Sequence, residues 1–401
     1  MQKLMIRNGI LFIMACLVLS CSKESTSETA TIDVKFTDTI YFEIDSVTTK
    51  FSQANYWKSQ SDSLEYLVLF NSRLPAIQFY NWKTTQLDFK IHLAKEGPNG
   101  IPNPSAVYVQ SLDSIFVVSA YQYRLFQING TGEVLNTISL LPLDVVFEAN
   151  GTKPTRKTED ALFALPYARI GSPMFKKGDW LYMPCVTQIP FFTENKRLFE
   201  RGKSLLGVNI RTSEIRFQLN YPTPYSIKNP YFPPQFTQAV LADIPGTDKI
   251  VASFPVDHNV QVYDIRADLQ EEHPIQSAEL KNIPPMKSLE MDYNMHSEHF
   301  MNTAYYEKII FDPYRKIYIR TVRYPDKVNP YIVGEDNSKY RRRYTALVAD
   351  DNFHLLSEVN LSENGITNMN FFYTAEALYF QFRETSEDEI AFRKVIYKAI
   401  Q

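Results

Sequence analysis

The sequence predicts an all-β fold, a six-bladed β-propeller closed by the N-terminal strand pairing with the last blade. Three observations carry that expectation. The first is the stretch 95–140, where a Gly/Pro/Asn loop at Gly97–Pro104 precedes strand-like runs near Ala106–Gln110, Ser114–Ala120, Arg124–Asn129 and Val134–Leu140. Four antiparallel strands in about 40 residues, joined by turns of a few residues, match the size and punctuation of one propeller blade. The second is that comparable units recur along the chain, and the third is a spare strand near the N-terminus matched by a last unit of only three strands.

Taken in order, Thr37–Asp45 alternates apolar and polar positions at Ile40, Phe42 and Ile44, as a half-buried strand does. Phe51–Lys58, Leu64–Asn71, Ala76–Trp82 and Gln86–Leu93 then form a first unit, and residues 105–140 a second. Leu141–Ile170 breaks the rhythm, with Phe163–Tyr167 expected as a short helix or an ordered loop. A third unit comprises Ser172–Phe175, Asp179–Cys185, Ser204–Ile210 and Glu214–Asn220, interrupted at Val186–Lys203. A fourth follows a Pro- and Tyr-rich connection at 221–235 and uses Thr237–Ile244, Lys249–Phe254, Asn259–Ile265 and Gln276–Leu280. The fifth has Tyr305–Phe311, Lys316–Val322, Tyr344–Ala349 and His354–Asn360, with an insertion at Arg323–Arg343. The last offers only Thr367–Thr374, Ala377–Arg383 and Ala391–Lys398, so the spare strand at 37–45 supplies its fourth member. Closure of that kind removes the sheet edges that invite aggregation. Seven blades or an open stack of sheets are the alternatives, because residue-by-residue repetition is weak.

The N-terminus reads as an address rather than as structure. Lys3 and Arg7 head an apolar run, Ile10–Leu19, that is too short for a bilayer core of about 30 Å, and Ser20 precedes Cys21. Val18-Leu19-Ser20-Cys21 resembles the lipobox of bacterial lipoproteins, in which the cysteine is lipidated. The expected organisation is a signal peptide at 1–20, a flexible tether at 21–32 and one propeller domain at 33–401. Localisation follows as the cell envelope, an outer-membrane lipoprotein facing the periplasm or the cell surface, with the membrane as a partner through the lipid anchor.

Composition narrows the partners. The chain carries 25 Tyr and 27 Phe against 13 Gly, the profile of an aromatic-rich β protein. Its formal net charge is −3, and loss of Lys3 and Arg7 makes the remainder more acidic, which argues against nucleic acid as a partner. Lys339–Arg343 is the one basic run and reads as a solvated loop before a strand. Of 3 cysteines, Cys16 and Cys21 fall in the leader and Cys185 in the body, so no intramolecular disulfide is available to the mature domain. Cys185, beside Pro184 and with no base partner in sequence, reads as a buried thiol.

Glu65-Tyr66-Leu67-Val68 with Asn71, Lys95-Glu96-Gly97-Pro98-Asn99-Gly100 and Phe311-Asp312-Pro313-Tyr314-Arg315-Lys316-Ile317-Tyr318-Ile319-Arg320 together resemble a family of bacteroidete lipoproteins, the domain of unknown function 4221. The resemblance spans nearly the whole mature chain. It implies a six-bladed, NHL-like propeller in an outer-membrane setting, and it brings no catalytic residues.

Candidate site residues come from loops. Tyr225, Tyr231 and Phe232 sit in the proline-stiffened connection 221–235, where ring faces could stack on a sugar or a peptide; the same rings could equally cover a blade edge. Asp257-His258-Asn259 lies between two strands of the fourth unit, and His258 is a candidate for a propeller mouth. Arg315 and Arg320 flank a turn set by Asp312-Pro313 and are candidate anion contacts in the channel. His296 and His299, three apart, could converge on an ion if their segment is helical, but His-Ser-Glu-His is not HExxH and a third ligand is missing from the pattern. No cofactor is predicted, and a divalent metal is left open only through that pair. The Asp-box of sialidases, WD dipeptides, a Walker loop and a GxSxG elbow are all absent. The sequence therefore points first to a non-enzymatic binding module for a glycan or an envelope protein. The alternatives are a propeller enzyme acting on a glycan or lactone at the channel mouth, possible catalytic residues unidentified, and a scaffold for another envelope protein.

Overall fold

The computed structural model describes residues 32–399 except 47, 49–51, 60–62, 72–74, 148–153, 158–161, 168–172, 227–230, 289–291 and 384. Six antiparallel sheets form a ring. Blade 1 runs from the inside out as Gln53–Lys58, Glu65–Asn71, Ala76–Asn81 and Leu87–His92. Blade 2 is Ala106–Ser111, Ser114–Ser119, Arg124–Ile128 and Val134–Ser139. Blade 4 is Val240–Asp243, Lys249–Ser253, Asn259–Asp264 and Leu269–Pro274, and blade 5 is Tyr305–Asp312, Ile317–Tyr324, Arg343–Asp350 and Leu355–Asn360. In blade 3, Trp180–Thr187, Lys203–Asn209 and Ile215–Asn220 follow one another, and the innermost place is shared by Ala164–Pro166 and Phe175–Lys177, both paired to Trp180–Thr187.

Blade 6 closes the ring as expected. Ile366–Tyr373, Leu378–Phe382 and Glu389–Ala399 are completed by the N-terminal strand Ile32–Glu43, which pairs antiparallel from Ile32 with Ala399 to Glu43 with Glu389. That strand begins earlier than the alternation at 40–44 suggests, taking in Ile32 from the end of the expected tether. Two other local expectations are corrected. Residues 164–166 are a strand, because Leu165 bonds across to Val186. The outer strand of blade 4 is Leu269–Pro274, a polar edge that periodicity passes over, and not Gln276–Leu280. Two helices stand in the insertions, α1 at Asn195–Arg201 and α2 at Tyr293–Asn302, the latter started by Asp292, whose carboxylate accepts from the Asn294 and Met295 amides.

Apolar seams hold each blade to the next. Tyr66 and Phe79 meet Val107 and Phe126 between blades 1 and 2, Phe116 and Leu125 meet Leu181 and Leu206 between blades 2 and 3, and Phe42, Phe372 and Phe392 meet Leu67, Leu69 and Tyr80 at the closure. Polar rivets cross the closure and the seam between blades 3 and 4. Asn370 of blade 6 accepts from the Ala54 amide at 3.0 Å and donates to Ser52 O at 3.0 Å, and Lys177 of blade 3 lies 2.5 Å from Asp243 of blade 4.

The repeat that exact matching misses is carried by the turns. Asn81, Asn129, Asn209, Asp264, Asp312 and Asp350 each end a strand and accept backbone N–H bonds from the residues just ahead. Three or four positions after each, the chain turns left-handed, at Thr85, Gly132, Ser213, Asp268, Lys316 and Phe353. A side-chain oxygen that satisfies the turn amides lets residues other than glycine occupy that region.

Antiparallel order places these tight turns on one face of the ring. The long connections all leave from the opposite face: 140–174, 188–202 with α1, 221–239, 275–304 with α2, and 325–342. One face is bare and the other is built over.

Candidate functional site

At the bare face the channel opens into a cavity of about 410 Å³, within the range of about 300–1,000 Å³ typical of small-ligand pockets. All six blades contribute, chiefly through the C-terminal halves of their innermost strands: Asn55–Lys58, Val107–Val109, Met174–Lys176, Leu241–Asp243, Ile310 and Phe311 with Tyr314, and Phe371–Tyr373. The wall is largely aromatic. Tyr56 stacks on Phe372 with centroids 6.2 Å apart, and Tyr314 meets Tyr373 edge-on at 6.1 Å. Tyr314 is 59% exposed and forms part of the rim.

Charge in the cavity is sparse. Asp243 is the one carboxylate of the lining; burial raises its pKa and Lys177 opposes the shift. Lys177 is held there by the carbonyls of Ile244 and Thr247 at 3.1 and 2.8 Å. The Tyr108 hydroxyl, pushed up to about 12 by burial and then by the Asp243 charge, and the Tyr373 hydroxyl, raised for the same two reasons, stand near that carboxylate as neutral donors. Lys58 pairs with Glu65 at 2.8 Å, and among the described residues Lys176 makes no ion pair.

The residues singled out in the sequence lie elsewhere. Tyr225 is 1% exposed, its hydroxyl donates to Phe236 O, and its ring packs on Phe199, Phe232 and Phe254. Phe232 is buried beside it, and Tyr231 pairs its backbone with Met286. Two of the three rings thus belong to the core under the built-over face, where stacking on a ligand is closed to them. Arg320 is corrected more sharply, because it points away from the channel into the seam between blades 4 and 5 and is fully buried. Its Nε donates to Ser253 Oγ at 2.9 Å. Its Nη atoms donate to the carbonyls of His258, Ile275, Asp257 and Phe254, and its plane lies 3.5 Å from the Tyr306 ring centroid. With every N–H used, nothing remains for an anion. Burial draws its pKa down to about 10, so it stays charged at neutral pH.

His258 is half-buried with Nδ1 2.9 Å from the Tyr306 hydroxyl, and Arg315 pairs with buried Asp312 at 2.6 Å while donating to Thr374 O and Ala375 O of blade 6. Both serve the seams. His296 and His299 do lie on a helix, where their rings meet Phe192 and Phe236 edge-on, and no cluster of three metal-ligating side chains occurs among the described residues. The basic run at 339–343 is, as expected, a loop that leads into a strand, with Lys339 and Arg341 exposed; Tyr340 donates to Met301 O and Arg343 pairs with Glu279. Cys185 is buried, and Cys21 lies outside the described residues.

Of the missed residues, Tyr108, Asp243 and Tyr314 sit in strands and a turn that the sequence did reveal, whereas Lys176 lies just past the expected strand Ser172–Phe175, on Phe175–Lys177. The available signal was topological: the first strand of each blade is the innermost, so its last residues line one mouth.

Six blades, five of four strands and one of five, closed by the N-terminal strand around an open channel, define a six-bladed β-propeller. The chain matches the domain of unknown function DUF4221 over residues 31–360 and belongs to that family. A DUF4221 member from Bacteroides vulgatus is similar at 18% identity and TM-score 0.71, over 93% of this chain and all of that one (100%). A Bacteroides fragilis protein whose name marks it as exported is similar at 11% identity and TM-score 0.50, over 92% and 96% of the two chains. Virginiamycin B lyase of Staphylococcus aureus, at 8% identity and TM-score 0.43, covers 91% of this chain and 100% of its own. No curated protein matches the sequence.

Proposed function

We propose that this propeller is a non-enzymatic, membrane-anchored binding module that takes a glycan at the open mouth of its channel. The observation that carries the reading is the 410 Å³ cavity on the face free of insertions, lined by all six blades and walled by aromatic rings from five of them. Rigid strands hold those rings in place, so little ordering entropy opposes binding. A concave cavity of this size suits a sugar unit better than the flat face of a protein. Glycoside hydrolysis commonly uses two carboxylates, and the lining supplies only Asp243, so binding has more support than turnover.

The anchor reading concerns Cys21 and is also a proposal. The strand Ile32–Glu43 starts at the bare face, opposite Ala399. Ten intervening residues, at roughly 3.3–3.6 Å each when extended, would keep Ile32, on the same face as the mouth, within about 35 Å of the lipid. No described helix is long and apolar enough to cross a membrane. Replacing Cys21 with Ala should abolish labelling by radioactive palmitate.

A glycan array probed with the wild-type protein and with Tyr314→Ala tests the site. Tyr314 is a rim residue, and its truncation should alter stability by no more than about 0.5 kcal/mol. The reading expects array signals that weaken at least tenfold in the variant at unchanged Tm. Signals that persist undiminished would move the site away from the mouth.

A further inference from the structure

The chemistry of the lining narrows what the mouth accepts. Of the charged groups there, Lys58 is matched by Glu65 at 2.8 Å and Asp243 by Lys177 at 2.5 Å. Lys176 remains, with no ion pair among the described residues, on the short inner strand Phe175–Lys177 of blade 3. The cavity thus presents an excess of positive charge inside walls of low polarity, where a charge contact is screened less than at an open surface. Around it stand neutral donors, the Tyr108 and Tyr373 hydroxyls and the Asn55 amide, which suit ring hydroxyls. Aromatic faces beside them suit the apolar C–H faces of a pyranose.

We infer that the ligand is an acidic sugar, a pyranose bearing one carboxylate, whose ring packs on the aromatic wall while its carboxylate meets Lys176. The inference builds on the mouth being a glycan site and specifies the class of glycan. A neutral sugar would leave the lysine charge unanswered, and a cationic amine would meet it as a like charge.

Trp57 lines the cavity and gives a local optical signal among only 3 tryptophans in the chain. Fluorescence titrations would compare the methyl glycosides of glucuronic and galacturonic acid with those of glucose and galactose. The expected result is a saturable change with the acids, at least tenfold weaker for the neutral sugars, weakened by salt and lost in Trp57→Phe. Lys176→Gln should reduce the acid affinity about tenfold and leave the weak neutral response in place. Lys176 is half-exposed, so the variant should fold, which its Tm would verify. Equal binding of acid and neutral sugars, or acid binding indifferent to Lys176→Gln, overturns the inference. If neutral sugars bind and Tyr314→Ala abolishes that binding, the glycan site stands and only the acidic preference falls. No saturable response to either acid also overturns it, with the glycan reading then decided separately by the array.

Discussion

Arg320 shows how a residue suited to a binding site can be claimed by the fold. Its five N–H groups answer one hydroxyl and four carbonyls gathered from the 253–258 turn and Ile275, so the guanidinium ties blade 5 to blade 4. Arg320→Met should cost about 3–5 kcal/mol, because those buried carbonyls lose their donors together. Urea denaturation measures this, and a loss under 1 kcal/mol would show the seam to be held by apolar packing alone. Burial lowers the pKa of His299, with its neighbour His296 adding to the effect. Above an unfolded pKa of about 6.5 the folded and unfolded chains bind the same protons at this site. As pH falls below that value, the unfolded chain takes up a proton that the folded chain resists. Stability therefore declines until the lowered folded pKa is passed, where the loss is complete. His299→Gln should flatten the decline between pH 7.5 and 5 in urea midpoints. An unchanged slope would remove the imidazole from the acid response.

At the scale of elements, sequence patterning located the strands well where one face is buried, as in Glu65–Asn71 or Ser114–Ser119. It failed where tertiary contact alone makes a strand. Ala164–Pro166 is only three residues long and exists because Trp180–Thr187 has a free edge. Leu269–Pro274 is mostly polar and solvent-facing, so no periodicity marks it. Helix α2 has a polar composition and was not read from the sequence; Asp292, whose carboxylate caps its start, was the one local signal available. The Asx turns are the element that repeats. Thr85 sits at φ 59° in one of them, a region that a β-branched residue occupies with strain. Thr85→Gly should raise stability by roughly 0.5–1 kcal/mol once the extra backbone entropy of glycine is set against that relief. A destabilised variant would mean that the threonine side chain contributes more than its backbone costs.

For the whole molecule, the closure of the ring was legible because strands had to be counted and one was left over. The face bearing the site was not, since aromatic loops such as 221–235 look identical in sequence whether they cap a core or greet a ligand. Only topology separates them: Tyr225 lies under the built-over face and Tyr314 at the open one. Deleting residues 32–43 should leave blade 6 a three-stranded sheet with a bare edge, and the shortened protein should aggregate or lose several kcal/mol. A monodisperse, equally stable product in light scattering and urea denaturation would show that the N-terminal strand is dispensable.

The claim that the bare face carries the binding site is tested most directly by amide hydrogen exchange with a glycan selected from the array. The account predicts slowed exchange at the C-terminal halves of the inner strands, in 55–58, 107–109, 241–243 and 371–373. Protection confined to 188–202, 292–302 and 325–342 would place the ligand on the opposite face and contradict it.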